Sequence, residues 1–459
     1  MSFASAPSTF RAELAATLRL AGPLAGANLL QMLIAATDVI FIARLGAKPL
    51  AASSLAIAVY GLVLWSLSGM TGAVAALIAE EVGAKRHAVR QVRRSSRMGL
   101  WLAIGCGLVG MLASLAVIPA ARITGQDPEV ARLSASFVAI LAFAMVPMLV
   151  ANVLRNFVSA LGRPLFATLI TAAMIGVNAF GNWLLVFGNL GMPALGLRGS
   201  AISTVLTGCG FAACYVVAIA RDRRLRRYYL WGNFWRPEWT MLARLVRVGL
   251  PISVTILSEA GIFTAAAFMM GALGPLPLAA HTLALQIAAL AFQLPFGIGQ
   301  AATIRVGYHF GARNPGAIGR AGWAAIAAAM GCMLVTASAM MFAPLVLLHI
   351  YIDPAAPENA ALVRLASGYL IIAAGFQLAD GMQAVAMGSL RGLQDTRVPM
   401  GFALFGYWVP GLATCLWLGF RTPLGGTGVW FGLALGLFVV ALLMLQRWIR
   451  RERLGLLPA

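Results

Sequence analysis

The chain has 459 residues, of which 61% are hydrophobic and 10% charged, with a formal net charge of +20. Soluble folded domains sit nearer half apolar and a quarter charged, so the composition excludes an ordinary soluble protein and indicates a polytopic membrane protein. The positive charge falls into short loops between apolar runs, which argues against a nucleic-acid partner and makes it a signal of membrane topology.

The opening residues, MSFASAPSTF, lack a charged region followed by a short apolar core. The chain is therefore read as having no signal peptide, and its first apolar segment as a retained span. Twelve apolar segments follow at roughly 15–43, 50–79, 98–120, 131–154, 165–188, 199–220, 246–271, 277–304, 318–349, 362–390, 398–419 and 427–447. Each is long enough for a helix to cross about 30 Å of hydrocarbon.

The first segment holds Pro23 and, fifteen residues later, Asp38. Pro23 either marks the helix entrance, where proline is tolerated, or permits a bend coupled to the charge state of Asp38. Arg11 and Arg19 flank this segment, and the second-to-third loop carries Lys85, Arg86, Arg90, Arg93, Arg94 and Arg97. In the fifth segment, VNAFGNW sets Asn178 and Asn182 one turn apart on one face, and the sixth holds Thr204 in SAISTVL. Such residues often do no more than hydrogen-bond neighbouring helices. Together with Asp38 they would form an oxygen-lined cation site.

The loop DRRLRRYYLWGNFWRPEW is the most basic of all and reads as a linker touching lipid headgroups through Trp231, Trp235 and Trp239. The seventh segment contains Glu259, and GALGPLPLAA after it has no charge. The alternation of basic and uncharged loops places both termini in the cytoplasm. In the tenth, AAGFQLADGMQAVAMGSLRG sets Gln377, Asp380 and Gln383 three apart, a polar stripe on one helical face, with Arg391 beyond its far end.

Two stretches align without gaps: LAGPLAGANLLQMLIAATDVIFIARLGAKPLAA from Leu20, and VGLPISVTILSEAGIFTAAAFMMGALGPLPLAA from Val248. Pro23 falls on Pro251, Gly46 on Gly274 and Pro49 on Pro277, while Glu259 falls on Gln31 and Asp38 on Ala266. LGLRG at 195–199 is echoed by LGGTG at 424–428. The expected organisation is a six-helix lobe over 1–220, a basic cytoplasmic linker over 221–245 and a second six-helix lobe over 246–459. Both halves then enter the membrane from the same side, so the pseudo-twofold runs along the membrane normal. Transport by alternating access is the usual work of that arrangement.

The five cysteines lie in apolar segments without a CxxC pair and read as packing residues. The four histidines are scattered, and HExxH, GxSxG, Walker A and Rossmann signatures are absent, which leaves an enzyme or an ATP-driven pump without support. What stands out is three carboxylates inside spans, Asp38, Glu259 and Asp380. Each costs about 2.5–3.5 kcal/mol at a helix centre. A buried acid can serve only as a hydrogen-bonding partner in the bundle, but intramembrane ionisable groups more often mark ion or substrate pathways. A dry acid holds a proton, a metal cation or an organic cation, and not all at once. That exclusion is the physical basis of antiport.

The stretches LLQMLIAATDVIFIARLGAKPLAA, LAAHTLALQIAALAFQLPFGIGQAATIRVGYHFGARNPGAIGRA and QLADGMQAVAMGSLRGLQDTRVPM resemble the multidrug and toxic compound extrusion (MATE) transporters, over nearly the whole chain. The resemblance implies an all-α membrane protein of two six-helix bundles arranged in a V. It implies export of amphipathic, often cationic drugs and toxins in exchange for Na⁺ or H⁺, with no other cofactor, by a monomer in a bacterial inner membrane. Asp38 matches the acid of an amino-lobe cation site, and Asn178, Asn182 and Thr204 its polar partners. Glu259 and Asp380 match two carboxy-lobe acids of the NorM-like branch, so Na⁺ is placed either at Asp38, Asn178 and Asn182 or at Glu259 and Asp380. Two positions depart from relatives: Asn182 stands where some have aspartate, and Phe376 where some Na⁺-coupled members have tyrosine.

A flippase for lipid-linked oligosaccharides shares the fold, but it calls for a cationic cavity, whereas the charges singled out within spans here are acidic. A channel or membrane receptor is the remote reading, because a diverged six-plus-six repeat supplies neither a symmetric pore nor a ligand domain.

Overall fold

The structure is a computed structural model that describes residues 9–84, 88–119, 127–232 and 234–458. Lys85, Arg86 and His87 lie outside the described residues. Among those described, twelve helices are long and apolar enough to cross a membrane. In chain order they are α1 (Phe10–Ala43), α2 (Ala47–Ala84), α3 (Ala88–Pro119), α4 (Pro128–Ala160), α5 (Leu165–Phe187) and α6 (Leu197–Arg221). After the basic loop come α7 (Trp239–Leu273), α8 (Pro275–Gly311), α9 (Pro315–Phe342), α10 (Pro357–Gly392), α11 (Arg397–Phe420) and α12 (Gly426–Ile449).

Helices are the expected solution, because a backbone in hydrocarbon must satisfy its own hydrogen bonds. Their irregularities have local causes. The first part of α4 ends in a 3₁₀ turn at Ala142–Ala144, just before Pro147, which has no N–H to give the preceding turn. α11 widens into a π-helical turn at Tyr407–Gly411, with Pro410 inside it. The internal repeat is visible in the backbone. Gly196 precedes α6 at φ 55°, ψ −128°, and its sequence counterpart Gly425 precedes α12 at φ 52°, ψ −126°. A residue with a Cβ rarely takes that conformation, which explains a glycine at both places.

The chain packs as two units. Unit 1 holds Gly26–Ser253, and unit 2 holds α1 up to Ala25 together with Val254 onward. The border therefore runs inside α1 and inside α7, two residues beyond Pro23 and Pro251 respectively. Ion pairs hold the starts of these two helices. In unit 1, Arg244 of α7 donates to Glu80 of α2 at 2.8 Å, and Glu238 just before α7 pairs with Arg94 and Arg97 of α3. Trp101 of α3 donates to the Phe234 carbonyl at 3.1 Å, so the end of the basic loop is anchored to unit 1. Trp235 in the same loop remains 83% exposed.

In unit 2, Glu13 of α1 is almost fully buried and receives both Nε and Nη2 of Arg305 on α8, each at 2.7 Å. His309 Nε2 lies 3.5 Å from the same carboxylate. A fork-to-fork pair of this kind offsets much of the desolvation of both ions, but removal of one partner strands the other. Glu13→Gln is expected to cost about 3–5 kcal/mol by leaving the Arg305 guanidinium buried without its counter-charge. The check is the apparent melting temperature of the detergent-solubilised protein, which should fall for Glu13→Gln and recover in large part for Glu13→Leu combined with Arg305→Met.

Candidate functional site

Two groups of buried polar side chains stand out, one in each unit. In unit 1, α1 carries Asp38 toward α5 and α6. Its Oδ1 accepts from Asn178 Nδ2 at 3.0 Å and from Asn182 Nδ2 at 2.7 Å, and its Oδ2 accepts from Thr204 Oγ1 at 3.1 Å. Asp38 is 8% exposed and both asparagines are fully buried. The four residues that the sequence proposed as one set are thus in direct contact.

Local packing explains how. Asn178 and Asn182 are four apart, so a helix stacks them, and Asn182 also donates to the Asn178 carbonyl at 3.0 Å. Gly181 lies between them, and a Cβ there would collide with Ser203 of α6. The missing side chain lets α5 and α6 approach closely enough for Ser203 Oγ to donate to the Asn178 carbonyl at 3.1 Å. This arrangement solvates a bare carboxylate with three donors. Asn182 Oδ1 is buried with no hydrogen-bond partner, an oxygen available to a cation. Carboxylate, amide and hydroxyl oxygens are also the donor set that hard cations prefer.

In unit 2, α10 carries Asp380, which is 6% exposed, with Oδ1 unpartnered. Glu259 of α7 is half-buried and close enough to Asp380 to interact electrostatically. The stripe expected on α10 is divided among neighbours. Gln377 Nε2 donates to the Ala288 carbonyl of α8 at 3.2 Å, and Gln383 Nε2 donates to the Tyr407 hydroxyl of α11. The side-chain oxygens of both glutamines remain buried without partners. Phe376, one turn before the acid, stacks on Trp430 of α12 with centroids 5.6 Å apart.

Pro23 lies in the part of α1 that belongs to unit 2, while Asp38 lies in the part that belongs to unit 1.

Three residues escaped the sequence reading. Tyr407 is fully buried in the π turn, with both acids within electrostatic range. Pro410 was the available signal, since π turns gather at functional positions. Arg391, set aside as beyond the end of the apolar stretch, interacts with Glu259. It is eleven residues after Asp380, a spacing that returns a helix to the same face. Arg155 lies inside α4, past the point where the fourth apolar segment was ended, and it donates to Asn28 and, at 3.3 Å, to Gln31. The charges within the spans are therefore not only acidic, as the sequence reading held.

Comparison with known proteins places these groups in context. The MatE family model matches residues 23–184 and 251–417. The chain is 42% identical over 438 residues to a probable multidrug resistance protein NorM of Brucella suis, covering 95% of this chain and 93% of that one. It is 41% identical over 449 residues to a probable NorM of Mesorhizobium japonicum, covering 97% and 96% respectively. Its fold is similar to that in the crystal structure of a eukaryotic MATE transporter, AtDTX14, with a TM-score of 0.85 at 18% identity, covering 98% of this chain and 100% of that one.

The geometry around Asp38 makes a graded prediction. Asp38→Ala removes the acceptor shared by Asn178, Asn182 and Thr204; Asn182 and Thr204 keep the backbone carbonyls of Asn178 and Ser200, and a buried donor left unmade costs about 1–3 kcal/mol. Asp38→Asn keeps one acceptor oxygen and the shape. The apparent melting temperature in detergent should fall for both variants and fall further for alanine; equal values would mean that the three contacts carry no stability.

Proposed function

The chain belongs to the MatE family, and on that premise we propose that it is a secondary antiporter exporting amphipathic organic cations in exchange for Na⁺ or H⁺ by alternating access. It is a multi-pass membrane protein. We place it in a bacterial inner membrane with both termini cytoplasmic, working as a monomer, with the two six-helix halves as its lobes.

The observation that carries this reading is the pair of carboxylates in unit 2, buried Asp380 and half-buried Glu259. Glu259 lies within electrostatic range of Asp380, whose Oδ1 is left without a donor. Like charges so placed need a counter-cation, and a proton, Na⁺ or a cationic cargo can each supply it. Occupation by one excludes the others, so release of the exchanged ion and capture of cargo are linked by charge alone. Arg391 and Tyr407 set the local field: one adds positive charge beside Glu259, and the other holds Gln383 in place.

Asp38 with Asn178, Asn182 and Thr204 forms a second cation site in unit 1. Three donors hold the carboxylate when no cation is present. Turning either asparagine amide replaces a donor by an oxygen ligand, so loading a cation repacks the contact between α1 and α5. Pro23, two residues from the border inside α1, is the place where that change is expressed as a bend. Cationic cargo is preferred over the anionic pyrophosphate of lipid-linked oligosaccharides because both sites present acids.

In proteoliposomes, an imposed gradient of either Na⁺ or H⁺, applied separately, should drive movement of ethidium, and the effective gradient identifies the exchanged ion. Asp380→Asn and Glu259→Gln should each reduce ethidium movement to the level of empty liposomes; full activity in both would remove the mechanism in unit 2. Asp38→Asn tests the second site in the same assay, and complete loss there alone would assign the coupling to unit 1.

A further inference from the structure

A groove of about 510 Å³ lies between the start of α5 and the end of α6 in unit 1. Phe166 of α5 and Ala213, Cys214, Val217 and Ala218 of α6 line it, with Arg221 and Asp222 at its mouth. Ala213, Val217 and Arg221 recur every four residues, so the groove follows one face of α6 for about 12 Å. The small side chains of Ala213, Cys214 and Ala218 leave the space, and Val217 remains 46% exposed. α6 ends at Arg221, so the charge stands at the end of the span and the apolar channel lies within it.

The mouth is positive. Asp222 is the only acid between Arg163 and Glu238 in the chain, and it is already engaged. It pairs with Arg163 at 3.0 Å, and its Oδ1 accepts from the backbone N–H groups of Arg224 and Leu225 at 2.8 and 3.1 Å. Arg221, Arg223, Arg224 and Arg226 are all exposed. Aromatic rings follow in the same loop, with Tyr229 69% exposed and Trp231 46%. Tyr229 also holds a left-handed backbone at φ 46°, which a residue with a Cβ adopts only under constraint. Exposed rings beside a row of arginines suit the headgroup layer of a bilayer.

An occupant has to satisfy both parts. A soluble polyanion meets the arginines but has nothing to place inside the span. A neutral lipid fills the groove and leaves the arginines without a counter-charge. A phospholipid with a net negative headgroup does both. Its tail is as apolar in the bilayer as in the groove, so the groove selects by packing and not by transfer from water. Selection by charge happens at the mouth, where an anionic headgroup leaves its phosphate free for the arginines and a zwitterionic one supplies its own ammonium.

We propose that this groove is a binding site for an anionic phospholipid of the surrounding bilayer, with an acyl chain along Ala213 and Val217 and the phosphate at Arg221. The guanidinium fork matches phosphate oxygens in geometry as well as charge. This makes one defined lipid site out of a basic loop that the sequence showed only as a charged linker. It does not depend on the cargo or on the exchanged ion.

The probes are dioleoyl phosphatidylglycerol and dioleoyl phosphatidylethanolamine, which share their tails and differ in headgroup charge. The full chain is stripped of lipid in detergent, given each lipid in turn, and the lipid retained is counted by native mass spectrometry. The wild-type protein should retain phosphatidylglycerol in preference to phosphatidylethanolamine. Arg221→Gln should lower retention of phosphatidylglycerol about fivefold, the weight of one arginine at a charged membrane surface. Ala213→Trp fills the groove and leaves every arginine in place; it should bring phosphatidylglycerol down to the level of phosphatidylethanolamine. Arg226→Gln removes an equally exposed arginine that does not line the groove, and it should change retention much less than Arg221→Gln. The site is overturned if Ala213→Trp keeps the wild-type preference, or if Arg226→Gln matches Arg221→Gln, since diffuse attraction to the loop would then account for the lipid. A wild-type protein that retains both lipids equally overturns it as well.

Discussion

A charge carried into hydrocarbon has no water to fall back on, and the polar architecture of this protein follows from that constraint. Several ionisable side chains within spans are accompanied by groups that replace their hydration. Asp38 has three donors, Glu13 has the Arg305 fork, and Arg155 has the oxygens of Asn28 and Gln31. Asp380 differs from these, with one carboxylate oxygen left bare and Glu259 within electrostatic range. A structural ion pair is complete as folded; a transport site has to retain an unsatisfied group that a guest can complete. Glu13 is of the first kind, and the role proposed for Asp380 rests on its unsatisfied oxygen.

The repeat shows how one scaffold hosts unlike sites. Gly196 and Gly425 keep the same rare backbone before α6 and α12, and Pro23 and Pro251 keep their place near the border within α1 and α7. The polar residues have not been kept in step. Asp38 has Ala266 as its counterpart, and Glu259 has Gln31. Backbone geometry and helix-packing volume constrain the scaffold in both halves alike, whereas the charge at a given site answers only to what that half must bind.

Much of the candidate site was legible in the sequence, and the reason is energetic. An acid in an apolar run is expensive enough to be conspicuous, so Asp38, Glu259 and Asp380 could be picked out singly, and the four-residue spacing of Asn178 and Asn182 put them on one face. Tyr407 was not legible, because a tyrosine in a membrane span is unremarkable until a π turn directs it at Gln383. Arg155 was lost at a boundary, where an arginine reads as the end of a hydrophobic segment although α4 continues to Ala160. The stripe of Gln377, Asp380 and Gln383 shared a face as spacing requires, but spacing could not say that Ala288 and Tyr407 would claim the two amides.

By itself, then, the sequence determined the number of spans, the repeat between its two aligned stretches and the identities of the costly residues. Hydropathy, period and repetition are properties of a one-dimensional string, and hydrocarbon enforces them residue by residue. Tertiary structure alone decided which of those residues meet. Asp38 finds Asn178 across 140 residues of chain, and the start of α1 is held by α8 rather than by its own half. Helices that are apolar nearly all round carry no polar stripe to fix their rotation about the axis, so the facing of each side chain is settled only when the neighbours pack.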